Sequence, residues 1–234
     1  MTGAEEFEYT GKDELLQQQS MPRYNKHIAD LFLKKITPGM RVIDFGAGIG
    51  TISDIVKKHA GVVEITCIEI DNENVKALQD KGYHVVSDIS TLPDDTFDVI
   101  YSSNVLEHIE HDVDVLKQLR KKLKPGGQIA FWVPAFQMLW TAMDDRVEHF
   151  RRYTKTTMRQ IFEDAGYRVD SCFYQDSAGF FVTLLYKYIG KQDGTVNVKT
   201  LQFYDNIIFP LSKLADFVFS SFFGKNVFIY ARKG

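Results

Sequence analysis

Apolar positions along this chain follow two alternating rhythms. Short runs in which most positions are apolar or β-branched, RVIDF, VEITCIEI, HVVS, FDVIYSS, GQIAFWVP, YRVDSCFY and VFIYARK, read as strands. Between most of them lie TISDIVKKH, NENVKALQDKG, DVDVLKQLRKKLK and TKTTMRQIFEDAG, whose apolar residues recur every three or four positions and predict helices. Ile28, Leu31, Phe32 and Ile36 mark a leading helix, and Thr154 and Gly166 read as the N-cap and C-terminal stop of the TKTTMRQIFEDAG helix. Strand and helix in regular alternation predict an α/β fold, a parallel sheet with helices on both faces.

The rhythm breaks after Gly179. Residues 180–225 are rich in Phe, Tyr, Leu and Ile and contain Pro210, and only then does VFIYARK supply a closing strand, expected to run antiparallel. The expected layout is one domain over 1–234. Within it lie an N-terminal helical cap (1–40), a ligand-binding core (41–176), an aromatic insertion or lid (177–225) and the closing strand (226–234).

Composition changes this picture little. At 234 residues, 44% hydrophobic and 25% charged, the chain has enough apolar surface for one sizeable core. A net charge of −3 with scattered basic residues is not the footprint of a nucleic-acid binder, and KQLRKKLK reads as the solvated face of a core helix. Cys67 and Cys172 stand far apart in strand-like runs, so both are expected buried and reduced; with no metal-ligand spacing, no metal is expected. The start, MTGAEEFEYTGKDELLQQQ, lacks the basic patch and apolar run of a secretory signal, and no stretch approaches ~18 unbroken apolar residues. A cytoplasmic location is expected.

Candidate chemistry begins at RVIDFGAGIGTISDIV, where a strand ends in Asp44 and Gly46, Gly48 and Gly50 lead into a helix. Glycines there allow a tight turn and close approach of backbone to a ligand at the carboxyl end of a parallel strand. At the next strand end Glu69 is placed to accept hydrogen bonds from both hydroxyls of a ribose, and Asp71, by alternation, points elsewhere. At the third, Asp88 is placed to accept from an adenine amino group while Ile89 covers the ring. Asp44 would oppose a pyrophosphate and suits a cation, which favours a sulfonium nucleoside carrying an ammonium group over a dinucleotide.

The ordered set DFGAGIG, IEID, SDIS, FDVIYSSNVLEHIEH and LKPGGQIAFWVPA resembles the class I S-adenosylmethionine-dependent methyltransferases. PRYNKHI, LWTAMDDRVEHFRRYT and FFGKNVFIYARK extend the likeness to a bacterial and archaeal small-molecule subgroup. The resemblance implies a Rossmann-like seven-stranded mixed sheet with the last strand antiparallel, and S-adenosyl-L-methionine as cofactor. It also implies that Asp44, Gly46, Ala47 and Gly48 line the methionine end, that Glu69 and Ile70 hold the ribose and Asp88 and Ile89 the adenine, and that Asn104 and Val105 lie beside the sulfonium. The chain departs from the subgroup at Glu148, where glycine is common, and at Asp176, where asparagine is common.

Methyl transfer from a sulfonium to a hydroxyl or ammonium needs a positioned acceptor and a base. His149 is the leading candidate base, with Asp144 to orient it and His108 as a second candidate. Arg152, Tyr153, Tyr174 and Asp176 are expected to wall the acceptor pocket, and Tyr24 to close over the cofactor. The expected acceptor is an oxygen or nitrogen of a small molecule, a sugar or lipid-linked intermediate among them. The insertion, with Phe217, Phe219, Phe222 and Phe223, is read as a lid, a homodimer contact, or a peripheral contact with a membrane or lipid-linked substrate. A nicotinamide-dependent oxidoreductase and a non-catalytic nucleoside-binding module remain the alternatives at this point.

Overall fold

The computed structural model describes residues 19–61, 63–189 and 196–234, the side chain of Ile189 excepted. The acidic start, 1–18 of the expected N-terminal cap, and 190–195 of the insertion lie outside the described residues.

Helix α1 (Pro22–Leu33) opens with proline in its first turn, where a missing N–H costs no helical hydrogen bond. Then come β1 (Arg41–Phe45), α2 (Thr51–His59), β2 (Glu64–Ile68), α3 (Asn72–Asp80), β3 (His84–Val86) and β4 (Phe97–Ser103). These are followed by α4 (Asp112–Lys122), β5 (Leu123–Pro134), a short α5 (Ala142–Arg146), α6 (Lys155–Asp164) and β6 (Tyr167–Gln175). The insertion is α7 (Ser177–Ile189), α8 (Val198–Phe203), a π-helical turn (Tyr204–Ile208) and α9 (Phe209–Phe219), and β7 (Asn226–Lys233) closes the chain.

The seven strands lie in the order β3-β2-β1-β4-β5-β7-β6. All pairings are parallel except those of β7, which runs antiparallel to both β5 and β6. The order reverses between β1 and β4, the place where ligands of open α/β sheets bind. Two apolar clusters cover the faces. One joins Ile43, Ile100 and Phe131 to Leu116, Leu119, Met158 and Phe162 of α4 and α6. The other joins Val42, Tyr101 and Trp132 to Ile28, Phe32, Val56 and Leu78 of α1, α2 and α3.

Three local expectations are adjusted. The helix expected through Lys124 stops at Lys122, and β5 begins at Leu123, paired with Phe97; Pro125 disfavours helical backbone at the residue before it. Within the same basic run Lys122 is buried rather than solvated, its Nζ donating to Leu92 O and to Asp94, both at 2.7 Å. Cys67 is fully buried, but Cys172, on the outermost strand β6, is only half-buried because no further strand covers that edge; both are free thiols.

Buried acids pin the insertion to the body. Asp205 in the π-helical turn accepts from the backbone N–H groups of Arg23 and Tyr24 at the start of α1. Asp216 in α9 accepts from the N–H groups of Asp176 and Ser177 at the start of α7. Both place carboxylates where helix N-termini leave unpaired donors. Since Ser212 and Asp216 face inward, α9 turns most of its apolar residues beyond Phe209 to solvent: Phe217 is 89%, Leu214 67%, Val218 65% and Leu211 57% exposed. Among the described residues no helix is long and apolar enough to cross a membrane.

Candidate active site

Two groups of side chains meet at the carboxyl edge of the sheet, one at the tips of β1 and β2 and the other just beyond the tip of β4. At the first, Gly46, Gly48 and Gly50 all adopt positive φ. A Cβ at Gly46 would collide with the Val105 side chain, so glycine is required for the β1 turn to pass the β4 tip. The turn leaves a cavity of about 40 Å³ lined by Asp44, Gly46, Ala47, Gly48, Thr51 and Ser103 among others. That is room for a water or an ammonium group, so most of a nucleoside would have to lie outside it.

Asp44 is the charge at the floor of this cavity. Ser53 Oγ donates to its Oδ2 at 2.6 Å and is itself 3.1 Å from the Tyr101 hydroxyl. Burial pushes the Asp44 carboxyl up to about 7 against the opposing effect of the Ser53 and Tyr101 hydrogen bonds, with Glu69 adding to the rise. A buried acid that is costly to ionise and borders a cavity fits a cationic ligand group.

Glu69 stands over the same turn. Its Oε2 accepts from Gly48 N at 2.7 Å and its Oε1 from Ile70 N and Asp71 N at 2.8 and 2.9 Å. A carboxylate offers about four acceptor positions, so these bonds hold the glycine turn and leave little further capacity. Asp71 caps α3 by accepting from Glu73 N and Asn74 N, away from the cavity. Ile70 is 51% exposed, an apolar side chain left uncovered beside Glu69. Asp88 and Ile89 lie at the β3 tip and do not line the cavity; Asp88 is exposed and caps a short turn through Ser90 N and Ser90 Oγ. Asn104, in the left-handed region at φ +54°, donates its N–H to Trp132 O and follows Ser103 of the lining. Tyr24 is elsewhere: its ring meets Trp132 and Phe209 edge-on and its hydroxyl donates to Asn226 Oδ1.

The second group joins the turn after β4 to the segment around α5. Phe150 N donates to Glu107 O, Tyr153 OH to Leu106 O and to Asp112 Oδ2, and Arg151 to Glu110 O and Asp112. This framework carries His149 to Glu107 and His108. His149 Nδ1 is 2.8 Å from Asp144 Oδ1, and its ring centroid is 4.5 Å from that of His108. Arg152 grips the same carboxylate with two donors, Nε to Oδ1 at 2.7 Å and Nη2 to Oδ2 at 2.9 Å. Burial opposes ionisation of Asp144, but the bonds from His149 and Arg152 outweigh it and hold the carboxyl well below the usual range. Burial pushes Glu107 up to about 7, against the lowering effect of His149. Burial and the neighbouring His149 bring His108 down to about 4.

The other residues expected at the acceptor wall are distributed unevenly. Arg152 is in the cluster but committed to Asp144. Tyr153 is buried in the framework, and Tyr174 stacks on Phe136 with its hydroxyl accepting from Lys155 N. Asp176 is wholly interior at φ +64°, accepting from Tyr204 OH, Ser212 Oγ and Gly179 N, and does not line the cavity at the β1 turn.

One residue absent from the expected site, Glu107, is present here, and a second, Lys225, lies within electrostatic reach of Asp144 and Arg152. Glu107 was legible as a carboxylate next to His108, but nothing in the spacing separates a buried acid from a helix-surface one. Lys225, from FFGKNVF, lies over the rings of Tyr24 and Tyr204 at 5.5 and 5.1 Å, and burial lowers its ammonium pKa against the opposing charge of Asp176. It comes from the closing end of the chain, where no local pattern announces it, and packs between α1 and the insertion.

Comparison with known proteins bears on the fold and the family. A sequence model of the methyltransferase domain matches residues 17–171. The 2-methyl-6-phytyl-1,4-hydroquinone methyltransferase of Synechocystis sp. is 30% identical over 139 residues, 56% of this chain and 42% of that protein. The chain thus spans well under half the length of that curated relative. Among solved structures, a methyltransferase of Haloferax volcanii in complex with a methyltransferase activator superposes with a TM-score of 0.66 at 15% identity, covering 96% of this chain and 93% of that one. A SAM-dependent methyltransferase from Archaeoglobus fulgidus superposes with a TM-score of 0.57 at 20% identity, covering 94% of each. At these identities the structural likenesses establish the fold, and the domain match establishes the family: the chain belongs to the S-adenosylmethionine-dependent methyltransferases.

Proposed function

We propose that the protein transfers a methyl group from S-adenosylmethionine to an oxygen or nitrogen of a small molecule with an apolar or lipid-linked portion. The observation that carries this reading is the adjacency of the two groups: Val105, packed on Gly46 of the cofactor turn, is two residues before Glu107 of the histidine cluster. Asp44 and the Gly46–Gly48 backbone would hold the methionine end, and Ile70, Asp88 and Ile89 the nucleoside. Glu69 would hold the ribose by exchanging part of its backbone bonding. When bound, the cofactor supplies an electrophilic methyl group on its sulfonium.

The remaining work falls to the protein. Asp144, fixed by Arg152 and by Thr141 N at 2.8 Å, engages Nδ1 of His149 and leaves Nε2 for the acceptor side. Asp144 is a positioning residue in this arrangement, and the acceptor's proton is handled at the cluster of His149, His108 and Glu107. The outward apolar face of α9 supports an acceptor presented from a lipid surface, as does the lipid-tailed hydroquinone in the Synechocystis relative's name.

The test is incubation with methyl-labelled S-adenosylmethionine and a lipid extract, followed by mass spectrometry of the labelled product. His149→Ala is expected to keep cofactor affinity while turnover falls by roughly 100-fold or more. Unchanged turnover would confine His149 to a structural role, and label found only in polar metabolites would remove the lipid-linked acceptor.

A further inference from the structure

Glu107, His108 and His149 bring one ligand atom each to within 4.8 Å of the others. Methyl transfer needs a base but not three converging donors. The Glu107 carboxylate is completely buried, and neither of its oxygens has a hydrogen-bond partner on another residue. Its oxygen lies 3.8 Å from His149 Nε2, beyond hydrogen-bonding distance, and the Arg152 guanidinium is committed to Asp144. A buried carboxylate left in this state calls for a positive partner.

The surroundings of the two imidazoles identify the kind of partner. His149 directs Nδ1 to the Asp144 carboxylate at 2.8 Å, which leaves Nε2 toward Glu107. A ring nitrogen of His108 is hydrogen-bonded to the Val147 backbone. One nitrogen tied to a carboxylate or carbonyl and the other turned inward is how metal-binding histidines are oriented.

We propose that Glu107, His108 and His149 bind a divalent first-row transition-metal cation. Two imidazoles and one carboxylate suit Zn²⁺, Fe²⁺, Mn²⁺ or Co²⁺. Bonds of ~2.0–2.2 Å put neighbouring donors roughly 3.0–3.5 Å apart, so the three groups close inward by side-chain rotation. The backbone need not move, because the Phe150 N to Glu107 O bond at 2.8 Å already joins the two segments. Spacing did not announce this site: its ligands come from two distant parts of the chain, and no metal was expected from their pattern. Three protein ligands leave coordination open to an outside oxygen, as in catalytic rather than structural sites. On the methyl-transfer reading that oxygen is an acceptor hydroxyl: bound to the cation it releases its proton to solvent, and the resulting alkoxide oxygen takes the methyl group as the carbon–sulfur bond breaks to leave S-adenosylhomocysteine. This role rests on that reading; the binding does not.

The experiment uses the full chain without a polyhistidine tag, stripped with chelator and titrated calorimetrically with Zn²⁺ and with Mn²⁺. A parallel sample with Co²⁺ is followed by visible absorption. The expected result is one cation per chain with a ligand-field spectrum of nitrogen and oxygen donors. Affinity should fall 100-fold or more in Glu107→Gln and in His149→Asn, and about 10- to 100-fold in Asp144→Asn. Affinity for S-adenosylhomocysteine, measured on the same samples, should be unchanged in Glu107→Gln, which also reports that the variant is folded. No uptake by the native chain would overturn the proposal and leave His149 and Glu107 as a proton-bearing pair. Uptake that survives both substitutions would overturn it as surface binding. Loss of S-adenosylhomocysteine binding by the native chain would instead contradict the methyl-transfer reading and leave the metal result to stand alone.

Discussion

Asp44 sets the behaviour of the cofactor turn at the level of a single side chain. The charged and titratable groups facing it are Cys67 from β2, Glu69 just past the end of β2 and Tyr101 from β4, with the Ser53 hydroxyl from α2; none is a cation. Burial holds its carboxyl near 7, above the value in an unfolded chain, so the folded state keeps a proton that the unfolded state has lost between about pH 4 and 7. Its contribution to stability is therefore full below about pH 4 and is lost as pH rises through 7. A cationic ligand reverses the preference, because it favours the ionised carboxylate. S-adenosylhomocysteine, which retains the ammonium group, should bind with affinity that falls about tenfold per pH unit below 7 and levels off above it. In Asp44→Asn the slope should vanish, the affinity drop, and the melting temperature at pH 8 rise above that of the native chain. Calorimetry from pH 5.5 to 8.5 checks the affinity and scanning calorimetry the stability; a slope that persists in the variant would remove Asp44 from the ligand's charge. Glu69→Ala should weaken the same ligand by about 1–3 kcal/mol, with any loss divided between the ribose and the Gly48 N–H that Glu69 holds.

At the scale of elements, the strands and crossover helices were legible because alternation and helical spacing report burial directly. The turns were only partly so. The glycine turn after β1 was readable, since glycine alone tolerates positive φ beside Val105. Asn104, Phe136, Glu148 and Asp176 adopt positive φ without being glycine, and no pattern in the sequence marks them as such. Glu148 at φ +59° is exposed and occupies a position where glycine is common in the resembling subgroup. Glu148→Gly should relieve about 1 kcal/mol of left-handed strain, a rise of roughly 2–4 °C in melting temperature for a chain of this size. An unchanged or lower melting temperature would mean that the Glu148 side chain contributes an offsetting contact. The same turn carries His149, so its geometry bears on the cluster as well as on stability. Asp176 illustrates the opposite limit. As an acid near a strand end it reads like a pocket residue, yet its partners Tyr204 and Ser212 come from an insertion whose packing no local rhythm encodes.

For the whole molecule, the order of the chain was enough to put the strand-to-helix turns on one edge of the sheet, because parallel strands joined by helices bring every such turn to one side. What lay beyond reach was the meeting of β4's following turn with the segment around α5, made by hydrogen bonds between loops rather than by periodic burial. The insertion likewise announced itself as apolar but not which face it shows. Its inward acids and outward Leu211, Leu214, Phe217 and Val218 predict that the protein co-sediments with neutral phosphatidylcholine vesicles and that Leu214→Asp with Phe217→Asp releases it. Vesicle-independent sedimentation, or a dimer that the double variant dissociates, would assign that face to a second copy instead. The central claim is that the tips of β1 to β4 hold a sulfonium nucleoside. It is tested most directly by titrating the native chain and Gly46→Ala in a calorimeter with S-adenosylhomocysteine and, separately, with NADH. The account predicts one S-adenosylhomocysteine per native chain, none in Gly46→Ala, and no heat with NADH; saturable NADH binding without S-adenosylhomocysteine binding would contradict it.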